Sequence, residues 1–455
     1  IKDTRKIACL SDFCKIYEGF LKKWILEDLA ENESFSQFGG KKGVGAEHMI
    51  VCMVDRILKL LDTPEGRAVI INTQYDWTSA FDRQDPTITT QKFIRMKVRA
   101  SLIPILIDFL SQRSMKIKYN QKQAGPFELV GGSPQGSFLG QLCFSTGSSD
   151  NTEGLDITEE DKYQYVDDLS LLELIFLTDI LMEYDFRTHV ASDIGIDQRF
   201  VPPSLTKTQI FNEGISLWSE QNITRLNIDK SKYILHTRMR EDIATRFTLN
   251  NALIERQSEV KILGVWIGED PSNWEKNTKQ IVRRSYASMP MLTKLKFAGL
   301  SRQKLLHIYC LYIRSSTEYC SVVWHTNLTQ DQSNAIERIQ KVALKIILGK
   351  DTPRKEDGHF DYERGLHICD LKSLFARREV RLLDFGKKCL KHPTLKRLFP
   401  LNNTVFDDPH SVRNRELYHI NKARTVSYQN SAIPAIQRRL NQYFSYSPPV
   451  SPPVF

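Results

Sequence analysis

Long apolar runs and paired metal-binding cysteines are both missing from this chain of 455 residues. The most apolar stretch, residues 169–182, is interrupted by Glu173 and Asp179 and falls short of the roughly 20 residues that a bilayer-spanning helix needs. We therefore expect no membrane partner. The eight cysteines include no CxxC pair, which argues against a zinc module or a disulfide framework. We expect reduced, mostly buried thiols in an intracellular protein.

Glycine and proline are also scarce. Together, 22 Gly and 18 Pro make up 9% of the chain, below the usual value of about 12%, which excludes a low-complexity protein. With 41% hydrophobic and 26% charged residues, the composition is globular and allows about two or three domains. The first residues, 1–6, contain neither an initiator Met nor an apolar signal core, so we expect a piece of a longer protein.

Charge is divided unevenly along the chain. Residues 271–455 have 31 basic and 15 acidic side chains, a net charge of +16, whereas residues 1–270 have a net charge of −7. This division suits a protein that holds a polyanion with its basic region and a divalent metal with its carboxylate-rich region. A solvated basic surface is the alternative interpretation.

Strand patterns come early in the chain and helical patterns late. Residues 68–75 read as a buried strand that ends at Asp76, and residues 162–172 have two apolar arms around Asp167 and Asp168, the pattern of a tight hairpin. If neighbouring strands bring the three carboxylates together, these oxygen ligands suit Mg²⁺, with Mn²⁺ as an alternative. Two such ions about 3.5–4 Å apart would activate an attacking hydroxyl and stabilise a leaving oxygen.

Three motifs, in this order, resemble the central motifs of reverse transcriptases, above all those of non-LTR (LINE-like) retrotransposons. They are DWTSAFD at 76–82, SPQGSFLG at 133–140 and YVDD at 165–168. The resemblance spans most of residues 3–390. It implies an α+β protein with a right-hand polymerase fold, in which fingers and an antiparallel-sheet palm precede an α-helical thumb and a C-terminal helical extension. The implied domains are interleaved fingers and palm (1–270), thumb (271–350) and a basic extension with a frayed Pro-rich tail (351–455).

The resemblance also implies roles for individual residues. Asp76, Asp167 and Asp168 match the catalytic triad that binds the metal ions, and either Lys230 or Lys232 matches the lysine that protonates the departing pyrophosphate. Residues that match positions around the incoming nucleotide are Arg5, Lys41, Lys42, Phe81, Gln135 and Gly136. Among these, Phe81 matches the steric gate against ribonucleotides. A core phenylalanine is the alternative for Phe81, and a solvated loop is the alternative for Lys41 and Lys42.

The late part of the chain supplies further candidates. The segment around Gly264, Val265 and Trp266 matches the primer grip, with core packing as the alternative for Trp266. Cations expected to neutralise backbone phosphates without reading sequence are Arg338, Lys341, Lys345, Arg377 and Arg378. His325 has no second ligand nearby in the sequence, so we interpret it as structural.

The activity implied is that of an RNA-directed DNA polymerase that adds dNTPs to a primer 3′-hydroxyl by two-metal phosphoryl transfer. Its partners would be an RNA template, a DNA primer and dNTPs, with an endonuclease module upstream of this sequence and a nuclear or cytoplasmic location as part of a ribonucleoprotein. One alternative is a truncated, inactive relic that only binds nucleic acid. A viral RNA polymerase is disfavoured, because Phe81 would obstruct ribonucleotides. The polar segment 145–151 replaces the family's apolar run and puts folding of the palm at risk.

Overall fold

The computed structural model describes residues 7–30, 34–63, 68–176, 200–201, 206–239, 243–402 and 416–446. The chain divides into two compact units. The first consists of Ile1–Met49 and Arg67–Gln257, and the second of Ile50–Gly66 and Ser258–Phe455. Arg5, predicted to contact the nucleotide, lies outside the described residues, as does the Pro-rich tail from residue 447 onward.

The first unit combines helices with a mainly antiparallel sheet, in which only the short edge strand pairs parallel, and this confirms the predicted α+β class. Its helices, counting one that continues into the second unit, are α1 (Asp12–Leu29), α2 (Ala46–Leu60), α3 (Pro86–Arg95), α4 (Ile103–Leu110), α5 (Phe138–Gly147) and α6 (Lys207–Gln221). Its longer strands are β1 (Ala68–Tyr75), β2 (Arg113–Tyr119), β3 (Lys122–Leu129), β4 (Lys162–Tyr165), β5 (Asp168–Phe176) and, after the short β6 (Phe200–Val201), β7 (Lys232–Thr237). Two-residue strands follow at β8 (Ala244–Thr245), β9 (Thr248–Leu249), β10 (Ala252–Leu253) and β11 (Glu255–Arg256).

Five strands form the central sheet in the order β11-β7-β1-β5-β4. Strand β1 lies in the middle and pairs antiparallel with both β5 and β7, while β4 and β5 form a hairpin. Because side chains alternate along a strand, one face of this sheet is apolar and packs on α6. The core on that face includes Val69, Ile71, Tyr75, Leu169, Leu171, Phe211, Ile215, Tyr233 and Leu235.

The polar segment 145–151 folds in spite of its composition. Helix α5 extends to Gly147, and the ammonium of Lys92 donates to the Gly147 carbonyl, Asp150 Oδ1 and Asn222 Oδ1, each at 2.6 Å. Asp150 also accepts from the indole N–H of Trp218 at 2.9 Å. Buried polar groups are tolerated when they are hydrogen-bonded, so this network stabilises a segment that lacks apolar contacts.

The second unit is mainly helical. It begins with the hairpin β12 (Glu259–Ile262) and β13 (Val265–Gly268), and the helices that follow are α7 (Glu275–Phe297), α8 (Arg302–Ile308), α9 (Ser315–Glu318), α10 (Ser321–Trp324), α11 (Gln330–Leu348), α12 (Tyr362–Ile368), α13 (Leu374–Leu390), α14 (Val426–Gln429) and α15 (Ala432–Tyr446). Residues 309–314 between α8 and α9 are π-helical. The predicted primer-grip hairpin therefore groups with the helices and not with the palm, and the division into thumb and extension stays a prediction.

Two expectations from composition can be compared with the structure. No helix in the described part of the chain is long and apolar enough to cross a bilayer. The cysteines are all free thiols, and the buried ones are Cys52, Cys143, Cys320, Cys369 and Cys389.

Candidate active site

The YVDD motif forms the turn of the β4–β5 hairpin. Tyr165 pairs with Asp168, so Val166 and Asp167 make a two-residue turn between them. Val166 has a φ of 60°, which a tight hairpin turn needs but a β-branched side chain rarely adopts. Holding this conformation costs on the order of 1 kcal/mol or more, so contacts around the turn have to stabilise it.

Gln37 supplies such contacts. Its Oε1 accepts from the backbone N–H of Val166 at 3.1 Å and from that of Gly39 at 2.9 Å. On the other side of the turn, Gln164 Nε2 donates to the Val166 carbonyl at 3.1 Å. Gly39 is required here, because a Cβ at this position would lie 2.6 Å from the backbone nitrogen of Val166. Sequence reasoning missed Gln37, which lies far from the motif along the chain.

Asp76 reaches the same end of the sheet from strand β1. The last pair of the β1–β5 ladder joins Tyr75 to Leu169. Asp76 comes directly after Tyr75 and Asp168 directly before Leu169, so the two aspartates occupy the next opposite positions. Paired residues of antiparallel strands have Cα atoms about 4.5–5.5 Å apart, so Asp76 and Asp168 lie about one strand spacing from each other. Tyr75 and Leu169 face the apolar core. By alternation, the two carboxylates lie on the opposite face.

The three carboxylates differ in exposure, since Asp168 is exposed and Asp76 and Asp167 are half-buried. Three oxygen donors at one sheet end match the ligands that Mg²⁺ prefers. Within the described residues, however, no three His, Cys, Asp or Glu side chains form a group that could hold a metal ion. The backbone therefore places the three predicted ligands at one end of the sheet, but their side chains do not form a metal-binding group. The metal site stays a prediction.

A turn at residues 227–231 holds the backbone of Asp76. The Asp76 N–H donates to Ser231 Oγ at 3.2 Å, and the Asp76 carbonyl accepts from the Asn227 N–H at 2.8 Å. Lys230 is exposed on this turn, whereas Lys232 is half-buried in β7 opposite Gln74 of β1. Both lysines thus adjoin the strand that ends at Asp76, and the choice between them as proton donor stays open.

The predicted steric gate and nucleotide loop are joined by backbone hydrogen bonds. The Phe81 carbonyl accepts from the Ser133 N–H at 2.8 Å, and the Phe81 ring stacks on Phe144 with 4.7 Å between centroids. This approach requires Gly132, where a Cβ would lie 2.8 Å from the Phe81 carbonyl oxygen. Phe81 is half-buried, so it packs on the core and borders the loop at the same time.

The predicted nucleotide loop continues through Gln135 and Gly136. The Gln135 carbonyl accepts from the Ala8 N–H at 2.8 Å, which ties this loop to the segment before α1. Gly136 has a φ of 97°, a conformation that favours glycine. In the loop that follows Gly39, Lys41 donates to the Ser34 carbonyl at 2.6 Å, and Lys42 is exposed. Their roles at the nucleotide stay predictions.

The predicted primer grip is the turn of the β12–β13 hairpin in the second unit. Leu263 and Gly264, with φ of 46° and 92°, connect Ile262 to its partner Val265. Trp266 is half-buried, with the ammonium of Lys276 4.6 Å from its ring centroid. An open cleft is lined by Gly264, Val265, Trp266, Asn277, Gln280, Ile281, Arg284, Ser315, Ser316 and Tyr319.

Of the five predicted phosphate contacts, three are exposed on α11: Arg338, Lys341 and Lys345. The ammonium of Lys341 lies 5.0 Å from the ring centroid of Tyr362, and that of Lys345 lies 5.5 Å from the ring centroid of Phe360. The ammonium groups remain exposed beside these rings, so they are accessible to a polyanion.

On α13 the prediction for Arg378 is wrong, whereas that for the half-buried Arg377 stays a prediction. Arg378 is fully buried, with Nε donating to His325 Nδ1 at 3.1 Å and its guanidinium 5.9 Å from the Trp324 ring centroid. Arg377 makes a two-pronged ion pair with the buried Glu318, one prong being 3.0 Å between Nη2 and Oε2. Both guanidinium groups stabilise contacts inside the helical unit, and the fully buried one of Arg378 cannot reach a phosphate.

His325 is structural, as expected. It is buried, and its Nε2 lies 2.8 Å from Glu379 Oε1. Because Arg378 donates to Nδ1, that nitrogen is an acceptor and Nε2 carries the hydrogen. Burial lowers the pKa of His325 below its ordinary value, and the hydrogen bond to Glu379 opposes this shift only in part.

Comparisons with known proteins bear on this site. No protein-family model matches the chain. Over 390 residues it is 21% identical to a protein of Drosophila melanogaster described as a probable RNA-directed DNA polymerase from transposon BS, and the match covers 84% of this chain and 40% of the relative. The chain thus spans about two fifths of the curated relative's length. The match confirms the resemblance to transposon reverse transcriptases that the motifs indicated.

Solved structures of telomerase are also similar to this chain. For apo telomerase from Candida tropicalis, the TM-score is 0.37 at 12% identity, covering 84% of this chain and 60% of that one. For telomerase from Candida albicans in complex with the TWJ fragment of telomeric RNA, the TM-score is 0.34 at 10% identity, covering 79% and 58%.

Proposed function

We propose that this chain is the RNA-directed DNA polymerase of a non-LTR retrotransposon, which adds dNTPs to the 3′-hydroxyl of a DNA primer along an RNA template. One observation carries the proposal. Two motifs about 90 residues apart, which match those of reverse transcriptases, place Asp76 beside Asp168, with Asp167 on the adjoining turn. The match to a transposon polymerase supports the same assignment.

The residues would divide the reaction between them. Asp76, Asp167 and Asp168 would hold two Mg²⁺ ions, which, when bound, supply Lewis-acid activation of the primer hydroxyl and stabilise the leaving oxygen. Lys230 or Lys232 would donate a proton to pyrophosphate. Phe81, on a loop directly after Asp76, would exclude a ribose 2′-hydroxyl by its bulk, and Gln135 would contact the nucleotide.

The proposal extends to the partners. RNA template, DNA primer and dNTPs are the substrates that this activity requires. The proposal also includes an endonuclease elsewhere in the element's protein. It places the protein in a ribonucleoprotein in the nucleus or the cytoplasm. The length of the curated relative that the match leaves uncovered has room for further modules.

Primer extension on poly(A) and on heteropolymeric RNA, each with Mg²⁺ or Mn²⁺, tests the polymerase. We expect metal-dependent DNA synthesis, and Asp167→Asn should lower its rate at least about a thousandfold, since a lost metal contact removes several kcal/mol of transition-state stabilisation. The matched control is Asp108→Asn, an exposed aspartate on α4. Equal extension by the Asp167→Asn protein would contradict the proposal. Tight RNA–DNA binding without extension under either metal would favour the relic that only binds nucleic acid.

A further inference from the structure

Tyr319 contacts the predicted primer-grip turn from the helices of the same unit. Its hydroxyl donates to the Leu263 carbonyl with an O···O distance of 2.7 Å. Its ring lies against the next residue, since a Cβ at Gly264 would be 3.2 Å from Tyr319 Cε1. The tip of the hairpin is therefore held by a hydrogen bond and by ring contact with one side chain, which is 48% exposed.

The backbone around Tyr319 departs from regular helix on both sides. The π-helical residues 309–314 precede the short helix α9, and Cys320, directly after Tyr319, has a φ of 49°. A left-handed conformation costs a non-glycine residue about 1 kcal/mol or more, and π-helical segments are frequent at functional sites. The helical run that begins at Arg302 therefore ends at Glu318, and Tyr319 follows with an extended backbone.

Buried contacts keep this backbone in place. Glu318, the neighbour of Tyr319, is anchored by its ion pair with Arg377. The Tyr319 carbonyl accepts from the indole N–H of Trp324 at 3.2 Å. These contacts fix the backbone of Tyr319 while its ring stays partly exposed, so its contact with the hairpin does not depend on a mobile loop.

The cleft beside Tyr319 has the chemistry of a nucleic-acid backbone site. Arg284 supplies a cation, Gln280 supplies a side-chain amide, and Trp266 supplies a ring. No carboxylate is among the cleft's lining residues in the described part of the chain. Polynucleotide strands are held by such sets of cations, polar groups and aromatic rings.

We propose that Tyr319 is a positioning residue of the primer grip. It fixes the Leu263–Gly264 turn so that the turn and the adjoining cleft hold the primer strand near its 3′ end. This inference rests on the proposed function, because it takes the bound strand to be a primer. Tyr319 itself acts through the hairpin and not on the reacting atoms.

The test compares Tyr319→Phe, which removes only the hydroxyl, with Tyr319→Ala, which also removes the ring. The matched control is Tyr312→Phe, at an exposed tyrosine of the π-helical segment. Loss of one hydrogen bond predicts a two- to tenfold rise in the Kd of a labelled RNA–DNA primer–template for Tyr319→Phe, measured by fluorescence anisotropy, and a larger rise for Tyr319→Ala. In primer extension, KM for the primer should rise by the same factor while KM for dNTP and kcat stay within twofold.

The outcomes separate this proposal from the one on which it rests. If the unsubstituted protein extends primers but Tyr319→Phe and Tyr312→Phe bind the primer–template equally, the role of Tyr319 is refuted and the polymerase proposal stands. The role is also refuted if Tyr319→Phe lowers the melting temperature and kcat without raising the primer KM, because that split marks a merely structural residue. Binding that weakens as expected, in a protein that does not extend primers, would support the Tyr319 contact and refute the polymerase.

Discussion

The two units treat their predicted functional charges in different ways. In the first unit, all three predicted aspartates lie at one end of the sheet, where Asp168 is exposed and the other two are half-buried. In the second unit, two of the five predicted cations, Arg377 and Arg378, are drawn into buried contacts. The motifs therefore predicted residues that the fold brings to one place in the sheet, whereas a count of basic residues did not distinguish the exposed cations of the helices from the buried Arg378.

The physical reason is register. In a hairpin, the turn and the alternation of side chains decide which residues reach the sheet end and which face they occupy. Once YVDD forms the turn, the positions of its two aspartates are therefore fixed. In a helix, each residue points 100° from the last, and the side chain at one position can be buried while its neighbour is exposed. A basic tendency over many residues says nothing about that choice.

Arg377→Ala is the substitution expected to have the largest effect on stability. It leaves the buried Glu318 without its two-pronged partner, which should lower the free energy of unfolding by about 3 kcal/mol. Urea unfolding measures the loss. The exposed Arg338→Ala should leave stability unchanged but reduce the salt dependence of nucleic-acid binding by about one phosphate contact. The comparison between units fails if the two variants exchange these effects.

Phe81→Ala tests whether a side chain in the first unit is functional or only packed. The substitution should lower the preference for dNTPs over rNTPs about ten- to a hundredfold in kcat/KM, because the ring no longer meets the 2′-hydroxyl. Phe81→Tyr, which keeps the ring, is the control and should retain the preference. A fall in melting temperature with unchanged preference would instead assign Phe81 to the core that it shares with Phe144.

Gln37→Leu tests the support of the catalytic turn. The substitution leaves the backbone N–H groups of Val166 and Gly39 without their acceptor, and the strained turn should then sample other conformations. We expect kcat for primer extension to fall about tenfold, because the loss of the hydrogen bond to Val166 acts directly on the turn, with unchanged Kd for the primer–template. Gln123→Leu, at an exposed position of β3, is the control. An unchanged kcat for Gln37→Leu would show that the turn keeps its conformation without the hydrogen bonds of Gln37.

Much of the sheet could be predicted from the sequence, and its limits have identifiable causes. Strand β1 has the predicted bounds, 68–75, because its apolar run is short and ends at a polar residue. Strand β5 continues to Phe176, beyond residue 172, where the predicted hairpin arm ends. This strand is apolar on both faces, so its pattern shows no period that distinguishes strand from helix.

Helix α6 has no clear apolar periodicity in the sequence, because much of its buried face is polar. Its buried face consists of Thr208, Phe211, Asn212, Ile215 and Ser219, so hydrophobic periodicity is weak there. These polar groups are satisfied by distant partners: Asn212 Oδ1 accepts from the Tyr75 hydroxyl at 2.7 Å, and Thr208 binds Glu173. A pattern of apolar residues alone does not reveal a face buried through hydrogen bonds.

Arg378 could have been recognised as buried. It lies four residues after Leu374 and four before Leu382, on the stripe of α13 that packs into the core. Helical spacing places Arg378 on the core side, and Arg377 is displaced from it by one step. Gln37 had no comparable signal, because its partner Val166 lies 129 residues away and only the folded chain brings them together.

The smallest predicted effect is a pH dependence that tests the buried network of the second unit. Burial keeps the pKa of His325 below its ordinary value of about 6.5, so between pH 7 and pH 6 this residue takes up more of a proton in the unfolded chain than in the folded one, which lowers the free energy of unfolding by about 0.5 kcal/mol. Asp55, whose pKa burial raises to about 7, takes up a proton in the folded chain over the same range and has the opposite effect. Glu379, whose pKa is lowered to about 2, is stabilising above its ordinary pKa of 4.5 and contributes no change in this window. Urea unfolding at pH 7 and pH 6 isolates the contribution of His325 as a difference between proteins: His325→Gln should remove a fall of about 0.5 kcal/mol that the unsubstituted protein and the exposed His307→Gln control both show. If His325→Gln keeps the full pH dependence, the proton uptake arises elsewhere, and the contrast between buried charges in the helices and accessible charges in the sheet loses its clearest thermodynamic consequence.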